Sequence, residues 1–214
     1  MLTEYCRSRR ARHSRRIRIS RNDGWATGVR CGMSTSCRVL LVSGSLRRKS
    51  TNTAVLRTAR TVAPIGVHPV LYSGLGNLPH FNPDDDGASL APAVEALRAN
   101  IRSADALLFS TPEYAGALPG SFKNLLDWTI GDDQPNSIYE KPVAWINASP
   151  RGAVHAHESL RLVLRYANAI VVEAGCVHVP VTTAQVDDHG LIPDHDTRDR
   201  IARALGALAD HLAA

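Results

Sequence analysis

The chain has 214 residues, 44% hydrophobic and 21% charged, which fits a globular domain of ordinary size with some excess length. Its formal net charge of +5 is uneven: residues 1–32 hold nine Arg against Glu4 and Asp23, while the remainder holds 16 basic and 18 acidic residues. The basic surplus therefore belongs to the tail, and the rest of the chain has no global pull toward nucleic acid.

The tail, "CRSRRARHSRRIRISR", admits three readings: an arm for nucleic acid or an anionic surface, a transit peptide, or translated sequence upstream of a start at Met33. The third is favoured, because Met33 stands just before the first strand. Residues 1–36 are expected to form a basic, disordered extension, since they hold too few apolar residues to bury, and residues 37–214 to form the domain. Cys6, Cys31, Cys37 and Cys176 make no C-x-x-C pair, which argues against a zinc site or a disulfide framework and suits a cytoplasmic protein. No apolar stretch nears the ~20 residues that span a bilayer, so no membrane partner is expected.

From residue 38 the pattern alternates. "RVLLVSG" reads as a buried strand and Thr51 to Val62 as a helix. "GVHPVLYS" is a second strand, placed at an edge by Pro69. "GLGNLPHFNPDDDG" is a loop whose three Asp, Asp84 to Asp86, read as solvated. "LAPAVEALRANIRSA" is helical, "DALLFST" a third strand, "GSFKNLLDWTI" a helix and "KPVAWINAS" a fourth strand. "ESLRLVLRYANAIVVEAG" reads as one long helix ended by Gly175 at its C′ position. "CVHVPV" is a fifth strand and "TRDRIARALGALADHLA" the closing helix. Strands alternating with helices imply an α/β fold: a doubly wound, five-stranded parallel sheet in the order 2-1-3-4-5, with helices on both faces. Ligands then sit beyond the strand ends, in the loops after strands one, three and four.

The first of those loops, "SGSLRRKSTNT", joins a turn at Gly44 to a helix start at Ser50, Thr51 and Asn52. A helix N-terminus suits a phosphate, and Ser45, Ser50, Asn52 and Thr53 can add donors, with Arg47, Arg48 and Lys49 for charge. An ordinary strand–turn–helix with an exposed basic loop reads about as well from these residues alone. The glycine pattern is neither that of a Walker loop nor of a dinucleotide fingerprint. The second, "STPEYAGALPGSFKNLLDW", sets Pro112, Glu113 and Tyr114 before small residues that would let a planar ligand approach. Tyr114 taken alone reads equally as an aromatic packed inward. The third, "ASPRGAVHAHES", contains Ser149, Arg151 and Gly152. His155 and His157, two residues apart, do not share a helix face; they read as exposed or cap-region residues, and no metal site is expected.

Together "GSLRRKSTNT" and "PEYAGALPGSFKNLLDW" resemble the NAD(P)H-dependent FMN reductases, flavodoxin-like flavoproteins that include quinone, azo-dye and chromate reductases. The resemblance runs from about Cys37 to the C-terminus. It implies non-covalent FMN as cofactor and NADPH or NADH as cosubstrate, with ping-pong hydride transfer through the flavin to a small-molecule acceptor. By position, it implies phosphate contacts at Ser45, Arg47, Ser50 and Asn52. It implies ring contacts at Pro112, Glu113 and Tyr114, and further ring-side contacts at Ser149, Arg151 and Gly152. Many members carry Asn where this chain has Ala115, so an Asn-mediated contact is not expected here. The resemblance also implies a homodimer or homotetramer, with Leu125 and Trp128 either at the interface or buried within one subunit. The competing function is a non-enzymatic electron carrier or redox sensor on the same fold. A nucleic-acid role would rest on the tail alone.

Overall fold

A computed structural model describes residues 36–214. The expectations for the basic extension concern residues 1–35 almost entirely and lie outside the described residues. Among the described residues six strands form: β1 (Cys37–Ser43), β2 (Val67–Tyr72), β3 (Ala106–Ser110), β4 (Pro142–Asn147), β5 (Ile170–Val171) and β6 (Val177–His178). The α-helices described with them are α1 (Thr51–Thr61), α2 (Pro92–Arg102), α3 (Gly120–Ile130), α4 (Val154–Tyr166) and α5 (His195–Ala213). The strand pairings are parallel and the order is β2-β1-β3-β4-β5, as the alternating pattern predicts. Pro69 sits on the edge strand β2, opposite Val39, where its missing N–H costs no ladder bond on the open side.

Successive residues of a strand point to opposite faces, and here each face meets its own helices. Val39, Leu41, Leu108, Ala144 and Ile146 pack with α1 and α5. Leu40, Val42, Leu107, Phe109 and Trp145 pack with α2, α3 and α4. That division explains why the central strands read as continuous apolar runs rather than alternating ones.

Two expectations change around the fifth strand. The long helix stops at Tyr166 rather than running to Gly175, because Asn168 takes a left-handed conformation with φ 57°. Ala169 N donates to the Leu164 carbonyl and Asn168 N to that of Arg165, both at 3.0 Å, the paired closure of a Schellman end with Asn in the usual glycine place. The β-branched run that follows is strand: β5 pairs with the start of β4, and β6 with its end. Between them a short turn, Glu173–Gly175, steps out and returns. Gly175 is there for space, since a Cβ would lie 2.8 Å from Ala144 Cβ and 3.3 Å from the Ala204 carbonyl.

The loop after β2 is pinned by buried polar groups. Trp128 Nε1 donates to the Pro79 carbonyl at 2.9 Å, and Phe81 meets the Trp128 ring edge-on at 5.0 Å. Asn124 accepts from Phe81 N at 2.7 Å and donates to the Pro79 carbonyl at 2.8 Å. Trp128 and Leu125 are each 1% exposed, so both belong to the subunit's own core, not to an interface. Asp86 is likewise not solvated as expected. It is buried against Arg98, whose Nη2 lies 2.8 Å from Asp86 Oδ1 and whose Nε donates to the Trp128 carbonyl at 2.9 Å. Arg98 thereby ends α3 and holds the loop with one planar group. A Cβ on Gly131 would come within 1.6 Å of Asp86 Oδ2, so that position requires glycine.

Arg98→Ala would remove the buried counter-charge of Asp86 and the side-chain donor of the Trp128 carbonyl. Its expected cost is about 3–5 kcal/mol of unfolding free energy, read by urea denaturation; a loss within experimental error would refute the pinning role.

Candidate functional site

β1 pairs with β3 and β3 with β4, so the loops that leave their C-terminal ends are neighbours. All the expected site residues lie on these loops or on the first turn of α1. Gly44 leads out of β1, its N–H donating to the Ser110 carbonyl at 2.8 Å. A Cβ there would lie 2.4 Å from Thr111 Oγ1 and 2.9 Å from the Phe122 ring, so any side chain would wedge the first two loops apart. Ser50 caps α1, its Oγ accepting from Thr53 N at 3.3 Å. A helix cannot satisfy its own first N–H groups; those of Thr51 and Asn52, with the helix dipole behind them, suit an anion. No acidic residue occupies that first turn, and Arg47, Arg48 and Lys49 are exposed beside it.

The hydroxyls of this loop also brace it. Ser43 Oγ and Thr53 Oγ1 lie 2.9 Å apart, Ser45 N donates to Ser43 Oγ at 3.3 Å, and Arg47 N donates to Ser45 Oγ at 3.3 Å. Asn52 is buried, with Ser110 Oγ 2.9 Å from its Oδ1 and 2.7 Å from the Ile146 carbonyl. Ser110 Oγ thus stands between the start of α1 and β4, its single proton facing both acceptors. Ser110 gave no signal in the sequence beyond ending an apolar run.

In the second loop Tyr114 N donates to the Ala117 carbonyl at 3.0 Å and Ala117 N returns a bond to Tyr114 at 3.1 Å. Ala115 and Gly116, between them, have φ of 50° and 71°, the two left-handed positions of a type I′ turn. The turn leaves Tyr114 exposed and open space around Gly116. Asn is among the residues best suited to such a backbone, so Ala115 stands at a position where Asn or Gly would have a conformational advantage. Glu113 reaches across to the third loop, where its Oε2 accepts from Ala156 N at 3.0 Å. Helix α4 has no side-chain cap of its own, its N-cap Ala153 lying at φ 46°. Glu113 supplies the missing acceptor and a charge that complements the dipole.

The third loop is organised by Asn147, which the sequence reading missed. Its Oδ1 accepts from Ser149 N at 3.0 Å and its Nδ2 donates to the Gly152 carbonyl. Arg151 N donates to Ser149 Oγ at 3.2 Å, and Gly152 takes φ 90°. An Asn directly before "ASP" was the available clue, since Asn readily closes turns with its side chain. Of the two positions expected for the histidines, His155 is exposed and His157 lies in the cap region, buried in the first turn of α4. A carbonyl can only accept, so His157 Nδ1–H donates to Ala153 at 2.8 Å, leaving a buried Nε2 with no partner among the described residues. Burial holds this imidazole's pKa below its usual value, further favoured by nearby His178 and opposed by the Ala153 hydrogen bond and Glu113. Among the described residues no three His, Cys, Asp or Glu side chains come together as a metal site.

Two expectations follow. Ala115→Gly should stabilise the protein by about 0.5–1 kcal/mol, because it relieves a left-handed alanine at some entropic cost; thermal denaturation checks it. The unfolded chain protonates His157 before the folded one does, so stability from the neutral ring is complete above about pH 6.5 and declines as pH falls below it. His157→Phe should make urea stability fall less steeply with acid than in the wild type; an unchanged slope would place the acid sensitivity elsewhere.

Comparison with known proteins identifies the family. A model of the NADPH-dependent FMN reductase family matches residues 37–184. An NAD(P)H-dependent FMN reductase of Pseudomonas aeruginosa is 36% identical over 179 residues, covering 82% of this chain and 95% of its own. A quinone reductase of Escherichia coli is 32% identical over 186 residues, covering 84% and 97%. The solved structure of FerB, a flavoenzyme NAD(P)H:(acceptor) oxidoreductase from Paracoccus denitrificans, superposes with a TM-score of 0.72 at 27% identity, over 83% of this chain and 97% of that one. The matched span contains the three loops and the sheet that aligns them, and on these grounds the chain belongs to the NADPH-dependent FMN reductase family.

Proposed function

We propose that the chain is an FMN-dependent NAD(P)H oxidoreductase that delivers electrons to a quinone, free flavin, azo compound or metal oxyanion by ping-pong kinetics. One observation carries the reading: an anion-suited helix start and an open, small-residue turn stand side by side on neighbouring strand ends. The donor set fits a single phosphate, with the N–H groups of α1, the hydroxyls of Ser45, Ser50 and Thr53, and the exposed cation of Arg47. Asn52 holds that helix start in place. Pro112, Glu113 and Tyr114, with Ser149, Arg151 and Gly152, would border the ring. Glu113 acts there chiefly by keeping the second and third loops together.

Bound FMN would supply the redox chemistry, taking a hydride from NAD(P)H and yielding electrons to the acceptor. The chain's part is to bind the phosphate, orient the ring and offer backbone donors where negative charge develops. Relatives named as quinone reductases support a quinone acceptor. Arg47, Arg48 and Arg151 are available to a 2′-phosphate. The reading extends to a cytoplasmic homodimer or homotetramer. Free Cys37 and Cys176 suit a reducing compartment, and no described helix is long and apolar enough to cross a membrane.

The purified protein should be yellow, bleach on anaerobic addition of NADPH or NADH, and give parallel double-reciprocal plots. A colourless protein that refuses FMN, or lines that intersect, would count against the proposal. Arg47→Ala should weaken FMN binding roughly tenfold or more, the scale of one hydrogen bond to a charged group, while leaving phosphate-free riboflavin unaffected.

A further inference from the structure

Ser149, in the third loop, has its backbone held by two residues that stand opposite each other on neighbouring strands. Asn147 ends β4, His178 ends β6, and the two are register partners. Asn147 Oδ1 accepts from Ser149 N at 3.0 Å, and His178 Nε2 lies 2.7 Å from the Ser149 carbonyl. A carbonyl only accepts, so Nε2 carries the proton. Gly152 N donates to the same carbonyl at 3.2 Å, and both lone pairs of that oxygen are then engaged.

The peptide held in this way has no donor of its own. Ser149 precedes Pro150, whose ring nitrogen lacks an N–H, so the unit presents only a carbonyl. β6 lies across β4 from β3, and His178 therefore engages the carbonyl on the side away from the first two loops. The His178 ring is exposed and its strand is two residues long, so it adds little to the core. Its main chain is fixed all the same. Arg200 of α5 donates to the His178 carbonyl, and Val179 N donates to the Asn147 carbonyl at 2.8 Å. The Ser149 hydroxyl accepts from Arg151 N at 3.2 Å, and its own proton has no acceptor among the described residues.

We propose that His178 is a positioning residue for bound FMN: by holding the Ser149 carbonyl on the β6 side, it leaves the third loop presenting donors to the ring and favours the reduced flavin over the oxidised one. The inference rests on the flavin reading above, in which Ser149, Arg151 and Gly152 border the ring. Reduction builds negative charge at the ring edge. A carbonyl free to swing toward that charge would repel it, whereas a hydroxyl proton would offset it. The oxidised ring carries no such charge, so the effect falls on one redox state. Asn147 and His157 hold the neighbouring carbonyls of Gly152 and Ala153. Asn147 also shapes the turn and His157 is buried, so His178 is the member that can be changed by itself.

The test is the two-electron midpoint potential of the FMN-loaded full chain, read by anaerobic equilibration with a redox dye, with the Kd of oxidised FMN measured beside it. His178→Phe keeps a ring and removes the donor. It should weaken the binding of reduced FMN about five- to tenfold, a fall of about 20–30 mV, while the Kd of oxidised FMN stays within about twofold. His178→Gln, which keeps a side-chain N–H, should restore the potential. Should His178→Phe fail to fold by circular dichroism, His178→Leu takes its place; failure of both would make the residue structural and overturn the proposal. A wild-type potential in the donor-free variant, or an equal fall in His178→Gln, would overturn the positioning role and leave the flavin reading standing. A wild type that takes up no FMN would overturn both.

Discussion

Everything in the site depends on the side-by-side placement of β1 and β3 with connections that leave toward opposite faces. From β1 the chain crosses to α1 on one face, and from β3 to α3 on the other. Right-handed crossovers leave no other arrangement for parallel neighbours whose chain order reverses at that point. The two departing loops must diverge, and the divergence opens a crevice at the strand ends. Gly44 shows how little room separates them at the root, where even a methyl group would strike Thr111.

Above that root the loops are joined by specific bonds rather than left independent. Ser110 joins the first turn of α1 to β4, and Glu113 joins the second loop to the first turn of α4. Asn147 closes the third loop on itself. A bound group touching any one loop would therefore meet a frame that includes the other two. Pre-organisation of this kind lowers the ordering cost of binding and lets a flavin site work without a dedicated acid–base constellation. The same coupling gives α4 weight beyond its length, since its start belongs to the site frame.

The sheet order, the helix positions and the edge strand were legible because they follow from apolar periodicity and from one proline. The boundary at Asn168 was not. Its signal, an Asn before a β-branched run, is weaker than the glycine that lay seven residues on, and in this fold the glycine serves close packing against Ala144 instead. Asp86 was misplaced, and the burial of His157 left undecided, for a related reason. A polar residue reads as solvated until a partner from a distant element is known, and their partners, Arg98 for one and the α4–β4 packing for the other, arrive only when helices dock. Trp128 and Leu125 fell inward because Pro79 and Phe81 come back over α3 to cover them.

By itself the sequence determined the strands and helices outside residues 167–175, that the sheet is parallel, and which three loops leave the strand ends where the order reverses. These follow from local pattern, from handedness and from motifs whose residues are contiguous. Only the tertiary structure decided that Glu113 is a helix cap, that Asn52 looks inward to Ser110, and that the turn after Tyr114 needs two left-handed residues. Each of those depends on which groups meet across long stretches of chain, and burial and hydrogen-bond satisfaction are properties of the packed whole rather than of any segment within it.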